Sequence, residues 1–299
     1  MKNMTYKIFK SSDTNVSKFV FEKHNDIAVE AVLYRYNSYK ERTVICCSTQ
    51  CGCPVGCTFC GTGKFFVRNL TCKEIVEQVT TALSTIDCET EDIKKFQIMF
   101  MSMGEPFLNY NNLQDAIIVL TRLYPNAQLL VSTSAPVVIT RYFDDFCRLS
   151  KNIPNVGIQF SVHESNDEAR RKLIPSATSA LSKISALGEL WALSTGRKPF
   201  FNYCVHEGNS FMENVMDLLE NFDPDVWECT LSVICEKDNT VQNAINEKLD
   251  MIKSFSAMMT EAGYSLRVFN PAGQDDIGGG CGRLWYFQEW LKNRKDERK

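Results

Sequence analysis

Residues 42–63 read RTVICCSTQCGCPVGCTFCGTG, a β-branched run that passes directly into a stretch crowded with cysteine. The run 42–47 has the composition of a buried strand. Beyond it, Cys53, Cys57 and Cys60 stand in a C-x3-C-x2-C spacing. Three thiolates on one short loop can hold three irons of a four-iron cubane and leave the fourth iron open, whereas a fourth thiolate would close the cluster and confine it to electron transfer. A structural zinc site is the alternative. Cys57 and Cys60 form one knuckle, and Cys46, Cys47, Cys51 or Cys53 could complete it, although no second C-x2-C occurs in the chain.

Outward from this loop the chain alternates. Strand-like runs are expected at 42–47, 95–101, 128–133, 156–162, 199–205 and 228–234, with a further β-like piece at 264–269. Helical patterns fall between them, over 71–85, 176–195, 210–221 and 241–262. In the first, Ile75, Val76, Val79, Ala82 and Leu83 share a face, with Thr71 as N-cap and Glu74 completing a capping box. Upstream, 17–23 and 27–35 read as a β-hairpin around a turn-like His-Asn-Asp. Six strands alternating with helices indicate an α/β fold of parallel β/α units, closed partly as a barrel or open as a doubly wound sheet; periodicity does not choose between them. In both, ligands gather beyond the C-terminal ends of the strands. The cysteine loop, Gly104-Glu105-Pro106, Ser132-Thr133-Ser134 and His163 follow the first four strands in turn.

Composition narrows the class. Of 13 cysteines in 299 residues, seven lie outside 46–60, mostly in apolar contexts that suit small buried side chains. Disulfide scaffolds are short and secreted, and the polar N-terminal stretch has no apolar signal centre, so a cytoplasmic protein is expected. No apolar run approaches a membrane span. A net charge of −3 argues against a broadly basic protein; Arg170, Arg171, Lys172 and the tail 292–299 are the candidate basic material for a nucleic acid. With three histidines, at 24, 163 and 206, no histidine-based catalytic centre suggests itself.

The C-x3-C-x2-C loop after the first strand, with Phe59 just before its last cysteine, resembles the signature of the radical S-adenosylmethionine (SAM) superfamily. The flanks resemble one family in it. Cys46 through Arg68-Asn69-Leu70, Met101-Ser102-Met103-Gly104-Glu105-Pro106, Val131-Ser132-Thr133-Ser134, Ser161-Val162-His163, Leu173-Ile174-Pro175 and Gly278-Gly279-Gly280-Cys281-Gly282 follow the order of the RlmN/Cfr RNA adenosine methyltransferases over about residues 17–285. The resemblance implies a partial (β/α)6 barrel of the radical SAM type behind a short N-terminal β-hairpin. It implies a [4Fe-4S] cluster on Cys53, Cys57 and Cys60, and two SAM molecules per turnover. Cys281 would take a methyl group from one of them, and the radical from the second would activate that group for addition to C2 or C8 of an adenosine in rRNA or tRNA. Cys46 matches the thiolate that then attacks the methylated sulfur, and Glu30 the general base. Gly104 and Glu105 match the segment that holds the SAM amino group; Ser132, Ser161, Val162 and His163 match contacts to its ribose and carboxylate region. A reducing partner such as flavodoxin or ferredoxin is implied, and a monomer is expected.

Taken without the resemblance, a lone glutamate on a hairpin is more often solvent-facing, a lone histidine a satisfied core or rim residue, and the Gly-rich Cys281 loop a flexible turn. The expected organisation is a hairpin extension over 1–41, a radical SAM core over 42–285 and a charged tail over 286–299. Three departures from the family stand out. About forty residues precede Cys46 where the family carries an accessory domain. Val233-Ile234-Cys235-Glu236 replaces a Pro-aromatic-Asn segment, and Val205-His206-Glu207-Gly208-Asn209 replaces a regular Gly-Val-Asn-Asp turn. These bear on the substrate, so a radical SAM enzyme with a non-RNA substrate and a non-catalytic metal or redox module are the alternatives.

Overall fold

The computed structural model describes residues 4–23, 27–233, 246–269 and 277–278. They fall into two compact units. The first takes in described residues up to 56, 60–131 and 277–278; the second takes in 57–59 and 132–269.

In the first unit, strands β1 (Thr5–Lys10), β2 (Val16–Lys23), β3 (Ile27–Tyr36) and β4 (Ser38–Cys47) form an antiparallel run. β7 (Lys95–Phe100) then pairs parallel with β4, and β8 (Gln128–Thr133) parallel with β7. β5 (Gln50–Gly52) and β6 (Phe66–Asn69) make a small separate ribbon. The expected hairpin is therefore β2–β3, with β1 added at its edge. β1 escapes sequence reading because nearly all of its side chains are exposed, so it carries no buried-face pattern. Helix α1 (Cys72–Leu83) starts at the expected capping box: Glu74 N donates to Thr71 Oγ1 at 3.3 Å, and Thr71 N to Glu74 Oε2 at 3.0 Å. Its buried face carries Ile75, Val79, Ala82 and Leu83 as expected, with Gln78 in place of the half-exposed Val76. Helix α2 (Tyr110–Leu123) packs beside α1.

In the second unit, β9 (Val156–Ser161), β10 (Phe200–Val205), β11 (Glu228–Val233) and β12 (Ser265–Val268) are all parallel. The helices are α3 (Phe143–Asn152), α4 (Asp167–Leu173), α5 (Leu181–Thr195), α6 (Met212–Asn221) and α7 (Leu249–Glu261). The expected helix over 176–195 begins later, at Leu181, and a separate short helix α4 precedes it. Asn166 caps α4, its side chain accepting from Ala169 N at 2.9 Å. The pattern expected from 241 is helical over 249–261, and 241–245 lie outside the described residues. Phe201, Phe222, Trp227 and Tyr264 stack into the core of this unit. The whole is a mixed α/β fold with mainly parallel pairing, as the strand–helix alternation requires.

Candidate active site

Side-chain alternation along β3 and β4 decides which residues of the first unit meet. Val32 pairs with Cys46. Cys46, Val44, Tyr34, Val32, Val16, Met103 and Ile277 form one buried cluster, and Met99, Met101 and Phe65 pack against it. Glu30 lies two residues before Val32, so it projects to the same face of the sheet. It is 0% exposed, and so is Lys18, whose ammonium stands 3.4 Å from Glu30 Oε2. The solvent-facing alternative for Glu30 is thereby overturned: with α1 covering one face of β3 and this cluster the other, the strand has no wet side.

The backbone around Glu30 is sewn to the segment after β7. Ser48 Oγ donates to the Glu30 carbonyl at 2.5 Å and accepts from Met103 N at 3.1 Å, while Glu30 N lies 3.3 Å from Met103 Sδ. Ser48 is itself clamped by Gln78 of α1, which accepts from Ser48 N and donates to Ser48 O. Gly104 follows with φ of +98°, and a Cβ there would lie 2.5 Å from Gln50 Cβ. The bare backbone lets Gln50 Oε1 accept from Glu105 N at 2.8 Å. Glu105 is buried, and its Oε1 accepts from Phe107 N at 3.1 Å. Asn109 Nδ2 donates to the carbonyls of Thr49 and Leu70, both at 2.7 Å. A Gly104→Ala protein is expected to lose about 3 kcal/mol of stability; unchanged melting would refute the need for a bare backbone there.

Cys53, Cys57 and Cys60 are in no disulfide and have intermediate exposure, whereas Cys46, Cys47, Cys51, Cys147, Cys204 and Cys229 are buried. Cys53 N donates to Phe65 O at 2.8 Å. Without metal its thiol is pushed up to about 12, by burial first and then by the charges of Glu105 and Cys60. Among the described residues no three His, Cys, Asp or Glu side chains already converge on one point. The fit to a cluster thus lies in the donor set: three reachable thiols within eight residues and no disulfide among them. Metal binding would release their protons.

In the second unit, Phe59 meets the His163 ring edge-on, with centroids 5.6 Å apart. His163 is buried with φ of +65°, and among the described residues its Nδ1 has no hydrogen-bond partner. Burial, then the charge of Arg170, pushes its pKa down to about 3, so the ring is neutral at physiological pH. A buried polar atom left open beside Ser161 and Val162 suits a bound ligand rather than a satisfied core histidine. Ser132 and Ser161 are half-buried, and Val162 is fully buried. The amides of Val162 and His163 both donate to Asn202 O at 3.0 Å. The unusual turn after β10 reaches the same place, for Asn209 Nδ2 donates to His163 O at 3.1 Å and to Cys204 O at 2.9 Å.

Arg170 is a correction. It was expected among the basic material for a nucleic acid, yet it is 2% exposed. Its guanidinium donates to the carbonyls of Ser134, Ser161, Val162 and Ser179 and to Thr178 Oγ1, at 2.8–3.1 Å. Sequence reading also missed Lys18 and Gln78, since nothing in a local pattern marks them as buried. Cys281, Cys235, Asn239 and the tail 286–299 lie outside the described residues.

A family model described as the Radical SAM superfamily matches residues 47–183. The ribosomal RNA large subunit methyltransferase N of Nitrosopumilus maritimus (strain SCM1) is 33% identical over 206 residues, which cover 66% of this chain and 57% of that protein. The ribosomal RNA large subunit methyltransferase Cfr of Clostridium botulinum (strain Okra / Type B1) is 30% identical over 292 residues, 94% of this chain and 80% of its own length. The chain belongs to the RlmN/Cfr family of radical SAM methyltransferases. A solved radical SAM methyltransferase from Sphaerobacter thermophilus shares the fold with a TM-score of 0.76 at 26% identity, covering 95% of this chain and 81% of that one. Membership in the RlmN/Cfr family brings a [4Fe-4S] cluster and SAM as cofactors, which the loop thiols and the open His163 Nδ1 suit. Among the described residues no helix is long and apolar enough to cross a membrane.

Proposed function

We propose that this chain methylates C2 or C8 of an adenosine in rRNA or tRNA through an S-methyl group carried on Cys281. The observation that supports the reading most is the shared burial of Cys46 and Ile277 in one cluster, on the face that also carries Glu30. Ile277 stands four residues before Cys281, and four residues of chain span at most about 14 Å. Cys281 itself lies outside the described residues.

In this reading Cys53, Cys57 and Cys60 would hold the cluster, which together with SAM would supply the radical chemistry that activates the S-methyl group. Glu105 offers a carboxylate to an ammonium, and Ser132, Ser161, Val162 and His163 line the ribose and carboxylate end. Cys281 is the displacement nucleophile and afterwards tethers the substrate. After the ring adduct has given up its odd electron, which the cluster would accept, the Cys46 thiolate attacks the Cys281 sulfur and an S–S bond forms as the S–C bond breaks. The departing CH2 carbon keeps that electron pair and takes a proton to become the methyl group, and a thiol reductant returns the disulfide to two thiols with two electrons. Glu30 accepts the proton lost from the base carbon. A low-potential flavodoxin or ferredoxin supplies electrons to a monomer in the cytoplasm.

The test is mass spectrometry of protein expressed with cluster-assembly support, paired with RNA methylation by Cys281→Ala. An extra methyl group on Cys281 and loss of all RNA product in the variant are expected. Unchanged product formation by Cys281→Ala would sink the mechanism. A methylated Cys281 with no transfer to rRNA or tRNA would sink the substrate and leave a different acceptor.

A further inference from the structure

A lysine and a glutamate that are both 0% exposed need a reason to be there. Lys18 and Glu30 sit on adjacent antiparallel strands, Lys18 paired with Val32 and Glu30 with Val20, so they are diagonal neighbours on one face. Desolvating such a pair costs several kcal/mol per ion, and two apolar side chains of similar volume generally stabilise a fold as well or better. Their surroundings are apolar: Val16, Val32 and Met103 pack on the same face. The scaffold does not require this pair, whereas a base buried among such residues does, because without a counter-charge a buried carboxylate takes up a proton and ceases to be a base.

We propose that Lys18 is a positioning residue for the methyl transfer, its charge holding Glu30 ionised on the face that carries Cys46. The inference rests on the reading of Glu30 as the base. The step it serves is a proton transfer. The C–H bond of the base carbon breaks, its electron pair stays in the ring, and the carboxylate becomes a carboxylic acid beside the ammonium.

Other titratable groups on the elements packed against β3 do not replace Lys18. Cys51 of β5 and Cys47 of β4 are thiols, which carry no positive charge in either protonation state. Cys46 of β4 brings no positive charge. Glu74 of α1 is bound to Arg68 at 2.8 Å, and Glu105, two residues past Met103, is a like charge. Among the described residues the Lys18 ammonium stands 3.4 Å from Glu30 Oε2.

The experiment compares Lys18→Met and Glu30→Gln for cluster content, S-methylation of Cys281 and the pH–rate profile of RNA methylation. Lys18→Met is expected to keep the first two, to transfer methyl to RNA about 100-fold more slowly at neutral pH, and to recover as pH rises, its profile displaced upward by about two pH units. Glu30→Gln is expected to be inactive at every pH. If Lys18→Met is too unstable, Lys18→Gln carries the test, since it keeps a hydrogen-bond donor and drops the charge. A wild-type profile in the Lys18 variant beside an inactive Glu30→Gln overturns the proposal and leaves the base in place. Full activity in Glu30→Gln removes the base itself, and the proposal falls with it.

Discussion

Cys57→Ala protein, reconstituted anaerobically with iron and sulfide, is expected to lack the brown [4Fe-4S] absorbance and to form RNA product at less than about a thousandth of the wild-type rate. A cubane held by two thiolates has lost a third of its protein ligands. The cofactor carries the difficult chemistry, so nothing else in the chain can replace it. The fold should be nearly indifferent. Cys57 is half-exposed, and the metal-free variant should melt within about 1 kcal/mol of the metal-free parent. Cys88→Ala, another half-exposed thiol but outside the loop, should keep both colour and activity. A colourless parent with stoichiometric zinc, lost on changing Cys57, would instead make the loop a zinc knuckle.

The Arg170→Met protein is expected to lose about 4 kcal/mol of stability or more, a fall in melting temperature of roughly 10 °C. Arg170 donates to four backbone carbonyls, of Ser134, Ser161, Val162 and Ser179, and methionine would remove those donors. Each orphaned group costs about 1–3 kcal/mol, partly relieved where the backbone can shift. That shift has a functional reading, because Ser161 and Val162 lead into His163 at the end of β9. SAM affinity should therefore fall at least tenfold in whatever protein still folds. Arg170→Lys is expected to recover little, since an ammonium has three donors at one point where the guanidinium fork spreads five. Melting within 2 °C of the parent, a bound of about 1 kcal/mol, would show that water replaces the fork.

The local features of this protein were legible from residue order. The cluster loop is one stretch of eight residues, the α1 capping box spans four, and the six expected strands rest on short runs of apolar and β-branched side chains. Each is decided within a few residues of itself, and the order of motifs was enough to point to the family. The exposed edge strand β1 and the late start of α5 were missed because neither has a strong local signal. The alternation that would normally sort inward from outward side chains is missing in β2 and β3, where residues 16–21 and 28–34 are buried on both faces.

That missing alternation is why only the tertiary structure could decide the electrostatics of the site. Whether Glu30 is wet or dry depends on α1 closing one side of β3 and on Met103, 73 residues away, closing toward the other. Lys18 becomes its partner through the register of β2 against β3, and Arg170 turns from a surface charge into the donor that ties together three segments, at 134, 161–162 and 178–179. Ile277 reaches Cys46 across more than two hundred residues of chain. The sequence by itself determined which chemical groups the protein owns and the helices and strands that carry them. Which charges are stripped of water, and against what, was settled by packing between segments far apart in the chain, because desolvation is a property of everything around a group and not of its neighbours in sequence.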